Sequence, residues 1–271
     1  MEYVKLGNTG MEVSKLCLGC MGFGEPERGR EKWSIGEAES RDVIKKALDS
    51  GINFFDTANL YSAGSSEEIV GKALKDFANR DEIVLASKLY FPMFDGPNAK
   101  GLSRKSIFAE IDHSLKRLQT DYLDLYIIHR WDYGTPIEET MEALHDLVKM
   151  GKVRYIGASS MHAWQFAKAQ FIAEKNGWTK FVSMQNLYNL LYREEEREMI
   201  PLLQDQKVAM TPWSPLAGGR LTRDIGAVTA RASQAVEANL PAHIVASDNE
   251  IISRVHKLAD ERGITRGQVA T

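Results

Sequence analysis

The chain has 271 residues, a net charge of −3, 44% hydrophobic residues and two cysteines. That length suits one large α/β domain, and the near-neutral charge gives no electrostatic reason to expect nucleic acid or an anionic membrane surface. No apolar stretch approaches the ~20 residues that span a bilayer, and the opening MEYVKLGNTG lacks the basic start and apolar core of a signal peptide. A cytoplasmic protein is expected.

In chain order, a hairpin is expected around KLGNTGMEV, turned by Asn8-Thr9-Gly10. Apolar runs of strand length follow near Leu16–Leu18, Asn53–Phe55, Ile83–Ala86, Leu123–Ile128, Val153–Gly157, Phe181–Met184 and Val208–Thr211. Helix-period stretches separate them: SRDVIKKALDSG, SSEEIVGKALKDFA, SRKSIFAEIDHSLKRL, IEETMEALHDLVKMG, AWQFAKAQFIAEKNG and EEEREMIPLLQDQ. Several open with Ser and close with Gly, as helix caps prefer. Strands alternating with helices predict a (β/α)8 TIM barrel carrying an N-terminal hairpin, and no linker divides 1–271, so a single domain is expected. A closed barrel needs eight strands. After NEIISRVHKLADERG only ITRGQVAT remains, so the eighth strand and final helices are expected to follow Thr271 in a longer coding sequence.

Cys17 and Cys20 form a C-x-x-C. A thioredoxin-like dithiol should open a helix, whereas SKLCLGCMGFG reads as a strand ending in glycines. A zinc site needs two further ligands, and no second Cys or His pair stands at ligand spacing. Two ordinary buried cysteines and no metal are expected.

Four polar residues close these apolar runs or follow them directly: Asp56 and Tyr61 in INFFDTANLY, Lys88 in EIVLASKLY, and His129 in DYLDLYIIHR. In a parallel barrel the strand C-terminal ends share one face, and neighbouring strands lie ~4.8 Å apart, so these groups can converge. A phenol with its ordinary pKa of ~10 is a poor proton donor to a carbonyl. An ammonium beside it favours the phenolate, and a carboxylate keeps that ammonium charged. Asp56 holding Lys88, Lys88 polarising Tyr61, and His129 either orienting a carbonyl oxygen or sharing the proton transfer is therefore a coherent acid–base relay. Taken singly, Asp56 also fits a cap, Lys88 a strand-end lysine and His129 a core histidine.

These segments resemble the aldo-keto reductases. INFFDTANLY is similar to that family's aspartate–tyrosine motif, and SKLY and IIHRWD to its lysine and histidine motifs. The resemblance runs from VKLGNTGMEVSKLCLGCMGFG through VRYIGASS and SMQNLYN to TPWSPLAGGRLTR, and is strongest to a bacterial branch with long loops. It implies NADPH-dependent reduction of aldehyde or ketone carbonyls, with Asp56, Tyr61, Lys88 and His129 as the catalytic tetrad. It implies further that Ser159, Gln185 and Trp213 hold the nicotinamide, that Ser214, Pro215, Leu216 and Gly218 wrap the pyrophosphate, and that Asp56 and Met21 also touch the cofactor. Arg220 and Arg223 are candidate phosphate partners by charge. Substrate preference is expected from loop aromatics, chiefly Phe23, Trp33, Tyr90 and Trp131, with Phe91, Phe94 and Tyr133 in the same loops.

Two other readings fit the same residues. One is a regulatory module similar to potassium-channel β subunits, which resemble aldo-keto reductases and keep the cofactor. The other is an inactive, truncated barrel. The expected partner is a small-molecule carbonyl compound, and the sequence leaves the physiological substrate and the oligomeric state open.

Overall fold

The computed structural model describes residues 1–227 and 242–271, which group into two compact units. The first comprises Met1–Met184 with Leu202–Met210, and the second Gln185–Pro201 with Thr211–Thr271.

The first unit opens with an antiparallel hairpin of β1 (Tyr3–Lys5) and β2 (Glu12–Ser14), Val4 facing Val13. Thr9 sets its turn: the hydroxyl donates to the Leu6 carbonyl at 2.8 Å and accepts from the Met11 amide at 3.2 Å. Seven strands follow in one sheet, in the order β3 (Cys17–Gly19), β4 (Phe54–Asp56), β5 (Val84–Leu89), β6 (Leu123–Ile128), β7 (Val153–Ser159), β8 (Phe181–Gln185) and β9 (Ala209–Met210). All seven apolar runs of the sequence become strands. The sheet is parallel, with helices between its strands, and the architecture is that of a (β/α)8 barrel with an N-terminal hairpin. Among the described residues β3 and β9 are its edges.

Helices α1 (Glu37–Asp49), α2 (Ser65–Phe77), α3 (Arg104–Leu118), α4 (Ile137–Lys149) and α5 (Ala163–Asn176) connect successive strands. Ser103 caps α3 by accepting from the Ser106 amide, and Gly177 ends α5 in the left-handed conformation at φ 68°. One expected helix is shorter. EEEREMIPLLQDQ gives a single 3₁₀ turn at Glu194–Glu196, and α6 begins only at Met199 and runs to Gln206. The glutamates are engaged locally: Glu196 with Arg193 and Tyr188, Glu194 with Arg197, Glu195 with Asn186. Pro201 then sits in the first turn of α6, where its missing N–H costs nothing.

The hairpin closes one end of the sheet's inner face. Leu6 and Val13 pack with Phe54, Val84, Ala86, Leu125 and Ile127 in one buried cluster. Gly157 on β7 has no room for a side chain there, since a Cβ would lie 2.5 Å from the Ser183 hydroxyl and 3.3 Å from Ile127. The cysteines depart from expectation in one respect. Cys20 is fully buried, but Cys17, on a strand that is an edge among the described residues, is exposed.

In the second unit Ala217, Leu221, Ile252 and Val255 form a small core, against which Leu191, Val269 and Ala270 pack. It joins the loop after Trp213 to α7 (Ala242–Arg262) and α8 (Arg266–Ala270), whose start is fixed by a Thr265/Gln268 capping box. Among the described residues no helix is long and apolar enough to cross a membrane, and no cluster of His, Cys, Asp and Glu could hold a metal ion.

Gly71 lets α2 approach α3. A Cβ there would lie 2.4 Å from the Leu118 carbonyl oxygen, and a backbone atom cannot rotate away. Alanine gains ~1 kcal/mol of helix propensity, but overpacking costs ~1–3 kcal/mol. Gly71→Ala is therefore expected to lower the melting temperature by a few degrees, at about 2–4 °C per kcal/mol for a chain of this size. An unchanged or higher melting temperature in a thermal scan would show that α2 and α3 separate freely.

Candidate active site

Side chains on a strand alternate between faces with period two. Phe54 and Asp56 on β4 therefore share a face, as do Val84, Ala86 and Lys88 on β5, and Leu125, Ile127 and the following His129 on β6. The apolar members of these series belong to the buried cluster. The registers pair Asp56 with Ala86 and Lys88 with Ile127. Each inner series thus ends on a polar group at the same end of the sheet, and all of them lie within the first unit.

Lys88 is fully buried, at 0% exposure. An ammonium has three N–H donors, and its nitrogen lies 2.6 Å from an Asp56 carboxylate oxygen, 2.9 Å from the Thr57 carbonyl and 3.1 Å from the Tyr61 hydroxyl. Burying a charge costs several kcal/mol unless it is paired and hydrogen-bonded; here every donor has a partner. Burial acts to lower the Lys88 pKa, but Asp56 and Tyr61 together outweigh it and hold the ammonium above its ordinary value. Lys88 is charged.

Tyr61 behaves differently from the sequence reading. Burial raises its pKa more than the neighbouring ammonium lowers it, and Asp56 adds to the rise. The phenol keeps its proton in the folded protein. His129 stands edge-on to Tyr61, ring centroids 5.9 Å apart at 83°. Burial, with Lys88 and Arg130 nearby, pushes the imidazole well below its ordinary pKa, so it is neutral. Its buried Nδ1 has no hydrogen-bond partner among the described residues.

The turn after Tyr61 is strained. Ser62 and Ala63 adopt left-handed conformations, φ 45° and 51°, before Gly64 at φ 90°. Each non-glycine residue there costs roughly 1–2 kcal/mol. The long loop between β3 and α1 holds the turn in place. Glu31, itself buried, accepts from the Ser62 amide at 3.1 Å, Arg28 donates to the Ala63 carbonyl at 3.2 Å, and the Ser65 hydroxyl bonds both the Glu25 amide and the Ser62 carbonyl. A hydrogen bond to a charged group is worth about 1.5–3 kcal/mol, enough to offset one such residue. A second buried network braces the outer side: Glu67 accepts from Ser87 and from Arg117 at 2.6 Å.

The remaining expected residues are spread more widely. Tyr90 and Phe91 meet edge-on at 5.2 Å, and Phe91 meets His129 at 5.0 Å. Phe23 is buried beneath its own loop, and Trp33 lies against Gly22. Trp131 pairs with Trp164 at 6.0 Å, and Tyr133, 78% exposed, accepts from Gln165. Met21 is half-buried, and Ser159 is buried with its hydroxyl 3.2 Å from that of Ser160.

In the second unit Gln185 is buried, while the Trp213 indole is 36% exposed and its amide donates to the Asn186 carbonyl. The run from Ser214 through Pro215 and Leu216 to Gly219 is a tight turn. Ser214, Ala217 and Gly218 all have positive φ, and Asn189 donates to the Ser214 carbonyl. An exposed flat ring beside a tightly turned, glycine-bearing segment fits a planar heterocycle joined to phosphates. Arg223 lies against Gly219. Arg220 carries a different commitment from the one expected: it is ion-paired at 2.8 Å with buried Asp248 of α7, which ties the turn to that helix. Neither Glu31 nor Arg130 stood out in the sequence; Arg130 was signalled only by following His129.

Residues 15–271 match the Aldo/keto reductase family. The chain is 46% identical to versiconal hemiacetal acetate reductase of Aspergillus parasiticus, over 100% of this chain and 84% of that protein. It is 46% identical to aldo-keto reductase AMT2 of Alternaria alternata, over 99% of this chain and 79% of that one. Aldo-keto reductase dtxS3 of Metarhizium robertsii is 42% identical over 97% and 77%. All three of these relatives are fungal proteins.

Removing Lys88 tests the pair it forms. Lys88→Met leaves the Asp56 carboxylate without its countercharge and is expected to cost about 3–5 kcal/mol in urea unfolding. Adding Asp56→Asn should restore part of that loss. A Lys88→Met protein as stable as its parent would mean that the ion pair does not hold this end of the sheet.

Proposed function

The chain belongs to the aldo/keto reductase family, and from that premise we propose that it reduces aldehyde and ketone carbonyls with NADPH, Tyr61 serving as general acid. It is an oxidoreductase acting on carbonyl groups; the cofactor preference and the role of each residue are the proposal. One observation carries it: the fully buried Lys88 ammonium bound at once to Asp56 and to the Tyr61 hydroxyl.

No side chain can supply a hydride. A reduced nicotinamide, when bound, supplies it to the carbonyl carbon, and Trp213, Gln185 and Ser159 are the residues proposed to hold the ring. Met21 and Asp56 are proposed to touch it, with Ser214, Pro215, Leu216 and Gly218 around the pyrophosphate and Arg223 toward the phosphates. Arg220 has its charge already matched by Asp248 and contributes less.

The proton is held at the Tyr61 oxygen. A phenol whose pKa is raised does not protonate a resting carbonyl, but it matches the strongly basic alkoxide that develops as the carbonyl is reduced. Lys88, 3.1 Å away, then stabilises the phenolate left behind, and Asp56 keeps Lys88 charged throughout. His129, neutral and edge-on to the phenol, is suited to donate a hydrogen bond to the carbonyl oxygen and orient it toward Tyr61. The Phe91 ring packs edge-on against His129, with Tyr90 edge-on to Phe91, which gives that side of the imidazole an aromatic wall.

Tyr61→Phe is expected to lower turnover by ~10²–10⁴-fold with cofactor affinity nearly intact. Because the phenol stays protonated, the parent enzyme should hold its reduction rate from about pH 6 to about pH 9. Steady-state assays over a panel of aldehydes check both, and full activity in the variant would remove Tyr61 from the reaction. Cofactor choice is read separately. Quenching of tryptophan fluorescence should be stronger at low NADPH than at equal NADH, and Trp213→Phe should remove most of it. Equal affinity for the two would overturn the NADPH preference alone.

A further inference from the structure

Arg130 directly follows His129 and is half-buried beside it. One guanidinium nitrogen donates to the His129 carbonyl at 2.7 Å, and the guanidinium carbon stands 5.5 Å from the centre of the Phe91 ring. Phe91 is the same ring that meets His129 edge-on. Arg130 therefore adjoins the tetrad within the first unit, bonded to the His129 carbonyl and sharing the Phe91 ring with the His129 imidazole.

Arg130, like Arg30 and Arg154 of the same unit, has no carboxylate partner among the described residues, and of these three it alone adjoins His129, whose carbonyl it binds. Arg28, Arg41, Arg80, Arg104 and Arg117 of the same unit each hold one at 2.5 to 2.7 Å. Among the described residues Arg130 has none within ion-pair distance. The carboxylate nearest in sequence, Asp132, is occupied elsewhere: it accepts from the amides of Leu102 and Gly134 and from the Thr135 hydroxyl. A guanidinium carries five N–H donors in a fixed fork, and the His129 carbonyl engages one nitrogen only. A cation kept half out of water, with donors unspent and a ring on one face, is an incomplete anion site. Burial pulls its pKa below the usual value, which an opposing charge would restore.

We propose that Arg130 is a specificity-determining residue that binds a carboxylate on the substrate while the substrate's carbonyl lies at Tyr61 and His129. The inference rests on the carbonyl-reductase reading and names a substrate class for it: aldehydes and ketones that bear a carboxylate beyond a short apolar spacer. Phe91 and Tyr90 form the wall along which that spacer runs.

The test compares 4-carboxybenzaldehyde with 4-methylbenzaldehyde, using the whole chain and NADPH. The parent should favour the carboxylated aldehyde. In Arg130→Met that preference in kcat/KM should fall about 10- to 100-fold, mostly through KM, as expected for loss of a charge-assisted hydrogen bond. Arg130→Lys, which keeps the charge but not the fork, should fall between the two. An unchanged preference in Arg130→Met overturns the proposal, as does a matching loss of NADPH affinity, which would assign the guanidinium to the cofactor. Calorimetry with benzoate needs no turnover: binding to the parent that Arg130→Met abolishes supports the site, and binding that ignores the substitution removes it. Should neither aldehyde be reduced with NADPH or NADH, the reductase reading fails, and the benzoate titration still decides the role of Arg130.

Discussion

The upper end of the first unit's sheet is arranged around one buried ammonium. Lys88 has no exposure to water, and its three donors end on Asp56, Thr57 and Tyr61. All three acceptors come from the short segment that leaves β4. That segment also continues the sheet's hydrogen bonding past the strand itself, since the Thr57 amide donates to Ala86 and the Asn59 amide to Lys88. The cost of desolvating the charge is thus met by the same backbone that delivers Tyr61. Charge satisfaction and placement of the phenol are one constraint.

Tyr61 is also fixed from its other side. A left-handed turn would relax if nothing opposed it, and here Glu31 and Arg28 from a distant loop supply the missing partners. The close fit leaves no room for side chains: a Cβ on Gly29 would lie 2.4 Å from the Ser62 Cα, and one on Gly24 would lie 2.3 Å from the Ser62 side chain. Strain stored at one residue and compensated by a packed loop is a common way to hold a functional side chain off its resting conformation.

Burial rather than charge decides the protonation states here. The ammonium favours the phenolate, yet desolvation of a phenol with little water around it wins. The same desolvation keeps His129 neutral. The resulting set is a charged ammonium bound to the Asp56 carboxylate, beside two neutral groups able to share a proton. Such a division of labour suits a reaction in which negative charge appears on a substrate oxygen and must be neutralised at once.

Much of this was legible in the sequence because period-two alternation and helix caps are local. The seven strands fell where apolar runs placed them, and Asp56, Lys88 and His129 could be assigned to strand ends without coordinates. The helix expected from Glu194 failed because periodicity does not register competing side-chain bonds such as Glu196 with Arg193 and Tyr188. Cys17 was misjudged because a strand's exposure depends on its place in the sheet, which no single run encodes. The direction of the Tyr61 shift, the capture of Arg220 by Asp248 and the bracing of Ser62 by Glu31 were invisible for one shared reason. Each is a balance between groups far apart in sequence, 28 residues for Arg220 and Asp248 and 31 for Glu31 and Ser62. The sequence singled out the residues proposed to carry the chemistry; only the tertiary structure decided how much water each retains and whose charge is already spent, because desolvation and pairing exist only once the chain has packed.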